Sequence, residues 1–212
     1  MKKILLIGDS VRQGYDKYVK HAFRAVATVY YPNENCRFAE YVLRHLVDWQ
    51  RDIGGGDDVD LVHWNAGLWD DLIMVDNKHL SPIEYYKYTV KRICEVIKIL
   101  FPHAKMIFAT STPVREELFR GPCKRYNRDT EEYNAAAVEI VKAHGGEIND
   151  LYSLVLGAPD DYYSDMTHLY TQNGTRLVSD GVIRAIENSL GIKAEKLDYS
   201  ALFSNPDLIE GV

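Results

Sequence analysis

Short apolar runs alternate along the chain with longer stretches in which apolar residues recur every three or four positions. Lys3 to Ile7 is a short, continuously apolar run and reads as a buried strand. Asp16 to Val26 carries Tyr18, Val19, Ala22, Phe23 and Val26 on one helical stripe. Ala27 to Tyr31 is β-branched and aromatic, a second strand ending at Pro32. Arg37 to Asp52 places Phe38, Tyr41, Val42, Leu46 and Trp49 at helical spacing, and Gly54-Gly55-Gly56 stops it. Asp60 to Trp64 is a third strand. Ser81-Pro82-Ile83-Glu84 reads as a capping box with Pro at the first helical position, and Ile83, Tyr86, Val90, Ile93, Ile97 and Leu100 follow on one face up to Pro102. Lys105 to Ala109 is a fourth strand. Asp129 reads as the cap of a further helix that Gly145 stops, Glu147 to Leu151 is a short fifth strand, and a last helix runs from about Asn173 to Leu190 before Gly191.

Five strands separated by helices imply a parallel sheet covered on both faces. With right-handed crossovers the expected architecture is a three-layer α/β/α sandwich, a doubly wound parallel sheet in the order 2-1-3-4-5. Residues 1–191 form one domain in this reading, and 192–212 are a tail whose Leu197, Tyr199, Leu202 and Phe203 pack on it. Ligands of such sheets bind beyond the carboxyl ends of the strands. The residues following each strand therefore carry the functional interest.

Composition narrows the classes. Lys and Arg number 25 against 31 Asp and Glu, a net charge of −6, which argues against nucleic acid as a partner. No apolar run is long enough to span a membrane. The run after Met1-Lys2-Lys3 is too short for a secretory leader, and three cysteines without CxxC spacing suit a reducing compartment, so a cytoplasmic location is expected. Oligomeric state is left open.

Gly8-Asp9-Ser10 follows the first strand directly. A hydroxyl on that turn becomes a nucleophile only with a base in reach; otherwise Gly, Asp and Ser simply make a turn. Asp165-Met166-Thr167-His168 lies just before the last helix. A spacing of three lets the carboxylate accept from one imidazole nitrogen while the other faces a nucleophile, the orienter–base relation of a hydrolytic triad. Its plainer reading is a helix cap beside an exposed histidine.

Together the two segments resemble the SGNH, or GDSL, hydrolases, serine esterases and lipases on a flavodoxin-like sandwich, with a GDS block near the start and a DxxH block near the end. Asn173-Gly174, opening the last helix, is also similar to the family's continuation. The resemblance implies Ser10 as nucleophile, His168 as base and Asp165 as its orienter, with no cofactor and no metal. The family's middle blocks are altered here. Its second block supplies a glycine N–H to the oxyanion hole, where this chain reads Asn35-Cys36-Arg37, so the N–H of Cys36 or Asn35 takes that place. Its third block is GxND. Aligning Gly67 and Asp70 with it puts Trp69 where asparagine belongs and leaves Asn65 as the available amide. Asn65 is thus either an oxyanion donor or a buried amide bracing its loop.

Other residues rank lower. His63 lies on a strand and reads as a core residue. His21, His45, His79, His103 and His144 lack metal-ligand spacing. Arg115, Arg120, Lys124, Arg125 and Arg128 make one segment locally basic, a solvated loop or, less directly, a contact for an acidic glycan. The leading expectation is a carboxylic ester hydrolase removing a small, acetyl-like acyl group from a carbohydrate or another small alcohol. Two alternatives remain: a metal-dependent phosphohydrolase using Asp9, Asp70 and Asp71, and a non-catalytic carbohydrate- or partner-binding module.

Overall fold

A computed structural model describes residues 1–205. Five strands, β1 (Lys2–Ile7), β2 (Ala27–Tyr30), β3 (Leu61–Trp64), β4 (Lys105–Ala109) and β5 (Glu147–Asn149), form one sheet in the order β2-β1-β3-β4-β5, as expected. Every pairing is parallel. The helices are α1 (Ser10–Phe23), α2 (Ala39–Asp52), α3 (Ile83–Leu100), α4 (Asn127–Ala143), α5 (Leu151–Val155), α6 (Gln172–Leu190) and α7 (Tyr199–Ser204).

The alternation of side chains along a strand builds two cores. Leu5 and Ile7 join the apolar faces of α2, α3 and α4, whereas Ile4 and Leu6 join those of α1, α5 and α6. A strand buried on both faces has no polar position to spare, so Ile4 to Ile7 is apolar throughout. Ile7 is opposite Trp64 in the β1–β3 pair. The two strands end level, and Gly8-Asp9-Ser10 leaves the sheet beside Asn65.

Several boundaries differ from expectation. Helix α1 starts at Ser10, not Asp16. Its first turns carry Arg12 and Asp16 on the buried side, where they pair with each other, so the apolar stripe is hidden there. The Ser81 capping box does not form: the Ser81 N–H donates to the Asp70 carbonyl at 3.0 Å, and α3 starts after Pro82 without a side-chain cap. Asp129 is not the cap of α4, which begins at Asn127; it pairs with His79 instead, 3.3 Å away. β5 ends at Asn149 because Asp150 caps α5, a helix the pattern did not predict. In the short helix α7, Tyr199 and Leu202 form a small buried cluster with Tyr18. The end of the tail, 206–212, lies outside the described residues.

Candidate active site

Ser10 is the first residue of α1, at the carboxyl edge of the sheet. The Asp9 carboxylate caps the helix by accepting from the Val11 N–H at 2.9 Å. As the first helical residue, Ser10 has a backbone N–H with no partner inside α1, and the positive end of the helix lies there. Burial raises the pKa of Asp9, against the pull of the Val11 N–H and the Arg125 charge.

Asp165 shapes the turn that delivers His168. One carboxylate oxygen accepts from the N–H groups of Thr167 (2.7 Å) and His168 (2.8 Å). The other lies 2.7 Å from His168 Nδ1. An ionised carboxylate only accepts, so Nδ1 carries the imidazole proton and Nε2 is the acceptor. Burial pushes the Asp165 pKa up, but the bonds from His168 and the Thr167 N–H outweigh it and hold the carboxyl below its ordinary range. His168 Nε2 stands 2.8 Å from Ser10 Oγ. The three predicted residues therefore lie in one hydrogen-bonded row across the mouth of the sheet.

The second-block and third-block residues are placed differently. The Cys36 N–H donates to the Gly8 carbonyl at 3.1 Å, which corrects its assignment as an open oxyanion donor: that donor is already used to tie the loop after β2 to β1. Burial pushes the Cys36 thiol up to about 11, so it stays protonated at neutral pH. Gly67 is a packing position, where a Cβ would collide with the Ser111 hydroxyl. Asn65 is buried, and its own N–H donates to the Ile7 carbonyl at 3.1 Å. Its side chain lies against Gly8, so close that a Cβ on that glycine would collide with Oδ1. Oδ1 is buried without a hydrogen-bond partner. The amide is thus brought beside the Gly8-Asp9-Ser10 turn.

The carboxylates of the metal alternative do not converge. Asp9 caps α1, and Asp70 accepts from the Ala39 N–H at 3.0 Å, capping α2. Asp71 accepts from the Thr130 hydroxyl at 2.6 Å and pairs with Arg125 at 3.4 Å. Among the described residues no three His, Cys, Asp or Glu side chains gather as a metal site. His63 is a core histidine: burial lowers its pKa to about 4, and its Nε2 lies 3.2 Å from Asn149 Nδ2.

One residue near the site, Arg125, reads from sequence as part of a solvated basic loop, and another, Tyr170, escapes the sequence reading. Arg125, from the basic segment, is mostly buried and donates to the Leu68 carbonyl, fixing the loop that begins at Asn65. Tyr170 stacks on the His168 ring at 4.6 Å between centroids. The one available signal for Tyr170 was Gly14, a glycine inside what proves to be a helix.

No protein-family profile matches the chain, and no curated protein matches it. Solved structures do. A lipase/acylhydrolase from Enterococcus faecalis is 20% identical with a TM-score of 0.71, over 93% of this chain and 100% of that one. A GDSL-like lipase from Bacteroides thetaiotaomicron is 19% identical with a TM-score of 0.69, over 89% of each chain. The acetyl xylan esterase AlAXEase is 13% identical with a TM-score of 0.69, over 87% of this chain and 99% of that one. The fold is therefore that of GDSL-type lipases and acylhydrolases, a parallel α/β/α sandwich.

Proposed function

We propose that this protein is a serine hydrolase of carboxylic esters, acting through Ser10, His168 and Asp165. The observation that carries the reading is the continuous row from Asp165 Oδ2 through the imidazole to Ser10 Oγ, with contacts of 2.7 and 2.8 Å. Ser10 Oγ attacks the ester carbonyl as its proton passes to His168 Nε2. The carbonyl oxygen becomes an oxyanion, facing the free N–H of Ser10 at the positive end of α1 and the Asn65 amide. His168 returns the proton to the departing alkoxide, the C–O bond breaks, and an acyl group remains on Ser10. Water then attacks that ester, giving a proton to Nε2, and the carboxylic acid leaves with Oγ reprotonated. Asp165 keeps the proton on Nδ1 throughout and stabilises the imidazolium.

A small acyl group such as acetyl, carried on a carbohydrate or another small alcohol, is the substrate we assign. In support, an acetyl xylan esterase shares the fold. The binding-module reading has no use for a base aligned on Ser10 Oγ, and the phosphohydrolase reading has no use for three aspartates tied to separate helix and loop bonds. Turnover of p-nitrophenyl acetate, insensitive to EDTA, together with fluorophosphonate labelling mapped by mass to Ser10, is the expected result. Labelling elsewhere, or none, overturns the reading.

A further inference from the structure

Gly14 occupies the middle of α1, where glycine costs about 0.5–1 kcal/mol relative to alanine. What sits on it explains the choice. A Cβ at this position would lie 2.6 Å from Cε1 and 2.8 Å from Cδ1 of Tyr170. The tyrosine ring is thus seated on the bare backbone of the helix, one turn beyond Ser10. Its hydroxyl donates to the Ser10 carbonyl. The ring stacks on the His168 imidazole, with centroids 4.6 Å apart and planes inclined by 26°. Tyr170 is itself 39% exposed, so burial of an aromatic residue does not account for its place.

We infer that Tyr170 is a positioning residue, a clasp that holds the His168 imidazole and Ser10 at working distance, with Gly14 as its seat. The inference rests on the reading of Ser10 and His168 as nucleophile and base. Asp165 fixes the rotation of the imidazole through Nδ1 but leaves the ring free to slide sideways. The stacked tyrosine removes that freedom, and its hydroxyl anchors the same side chain to the residue bearing the nucleophile. Proton transfer needs the two heavy atoms within about 2.6–3.2 Å, and a misplacement of about 1 Å can cost roughly 10²-fold in rate. The imidazolium formed in each half-reaction also faces the electron-rich ring, which favours the charged state where it develops. Beside the ring opens a groove of about 390 Å³, bordered by Gln13, Lys17, Tyr18 and Phe203. A ring pushed off Gly14 therefore has space to move away from His168 without unfolding the helix.

Gly14→Ala tests the seat without touching the triad. The clasp predicts a fall in kcat of about tenfold on p-nitrophenyl acetate with KM unchanged, and a parallel fall in the fluorophosphonate labelling rate. A glycine kept only to make room for the ring would give a protein of lower thermal midpoint and unchanged kcat, because the added Cβ collides with Tyr170 whether or not the ring positions His168. Tyr170→Leu should lose tenfold or more in kcat, and Tyr170→Phe, which keeps the stack, should recover to within about fivefold of wild type. Folded Gly14→Ala or Tyr170→Leu protein with wild-type kcat overturns the clasp. Should Tyr170→Leu fail to fold, Gly14→Ala decides alone. Wild-type protein unlabelled at Ser10 overturns the hydrolase reading and the clasp with it, whereas a labelled wild type with equally fast variants overturns the clasp only.

Discussion

His168 Nε2 and Ser10 Oγ, 158 residues apart in the chain, stand 2.8 Å from one another at the carboxyl edge of the sheet. Neither residue contributes to a core, since Ser10 caps nothing and His168 lies in a turn held by Asp165. Ser10→Ala is therefore expected to abolish esterase turnover while leaving the thermal midpoint nearly unchanged. A midpoint drop comparable to that of a core substitution would show that Ser10 is structural.

Asp165 should matter less than Ser10. Its side chain is 42% exposed, so water can replace part of what the carboxylate gives the imidazole, and exposed pairs are worth little. Asp165→Ala is expected to lower kcat by no more than roughly 10⁴-fold, with KM little changed. Loss equal to that of Ser10→Ala would mean that the turn itself, held by the Thr167 and His168 N–H groups, had collapsed, which near-ultraviolet circular dichroism would reveal.

The proposed oxyanion site turns on Asn65. If its amide donates to the developing charge, Asn65→Ala lowers kcat by about 10²-fold with KM unchanged, the size seen for a single lost oxyanion donor. Asn65→Asp is sharper, because the shape is kept while a carboxylate faces the oxyanion. It should be at least as damaging as alanine. A destabilised Asn65→Ala protein with full turnover would leave the amide as a loop brace and the hole to backbone donors.

How much of this was legible in the sequence follows from which forces act locally. The strands were readable because burial on both faces demands unbroken apolar runs such as Ile4 to Ile7. The row of Ser10, His168 and Asp165 was readable as motif chemistry, although nothing in periodicity brings residue 10 to residue 168. The start of α1 was hidden because Arg12 and Asp16 satisfy each other inside, and because Gly14 looks like a breaker until Tyr170 is seen upon it. The caps failed where a distant partner competes. Asp70 caps α2 from 31 residues away, and its carbonyl takes the Ser81 N–H just before α3. Cys36 failed as a donor for a similar reason, since β1 takes its N–H.

Asp70 also sets a pH dependence. Burial raises its carboxyl from 3.8 to about 7, against the bonds from Ser81 and the Ala39 N–H. Between those values the folded protein holds a proton that the unfolded chain has released. The stability this group contributes is full below about pH 4 and is lost as pH rises through about 7, by at most about 1.4 kcal/mol per pH unit. Asp71, raised to about 6, acts in the same direction. Asp70→Asn keeps an oxygen for the Ala39 N–H and removes the titration. Urea midpoints measured from pH 4 to 8 should fall less steeply for the variant than for wild type, with the variant gaining most at pH 8. Parallel profiles would refute the assignment.

Arg125 Nε faces two acceptors at once. It donates to the Leu68 carbonyl, and the same nitrogen lies 3.4 Å from Asp71 Oδ1. The Asp71 side chain is fully buried, with Thr130 as its other bonded partner. Removing the guanidinium leaves a carboxylate that must either stay charged without its cation or take up a proton. Breaking one side of a buried pair typically costs about 3–5 kcal/mol. The cost here depends on pH, since Asp71 ionises from about pH 6 upward even with Arg125 present. Arg125→Met is therefore expected to destabilise the protein more at pH 8 than at pH 5. Adding Asp71→Asn removes the stranded charge, and the double variant should recover most of the loss at pH 8 but little at pH 5. A coupling of that sign and pH dependence, read from urea titrations of the four proteins, identifies the pair as the brace of the loop that begins at Asn65. Additive losses, equal at both pH values, would instead assign the role of Arg125 to its bond with the Leu68 carbonyl alone.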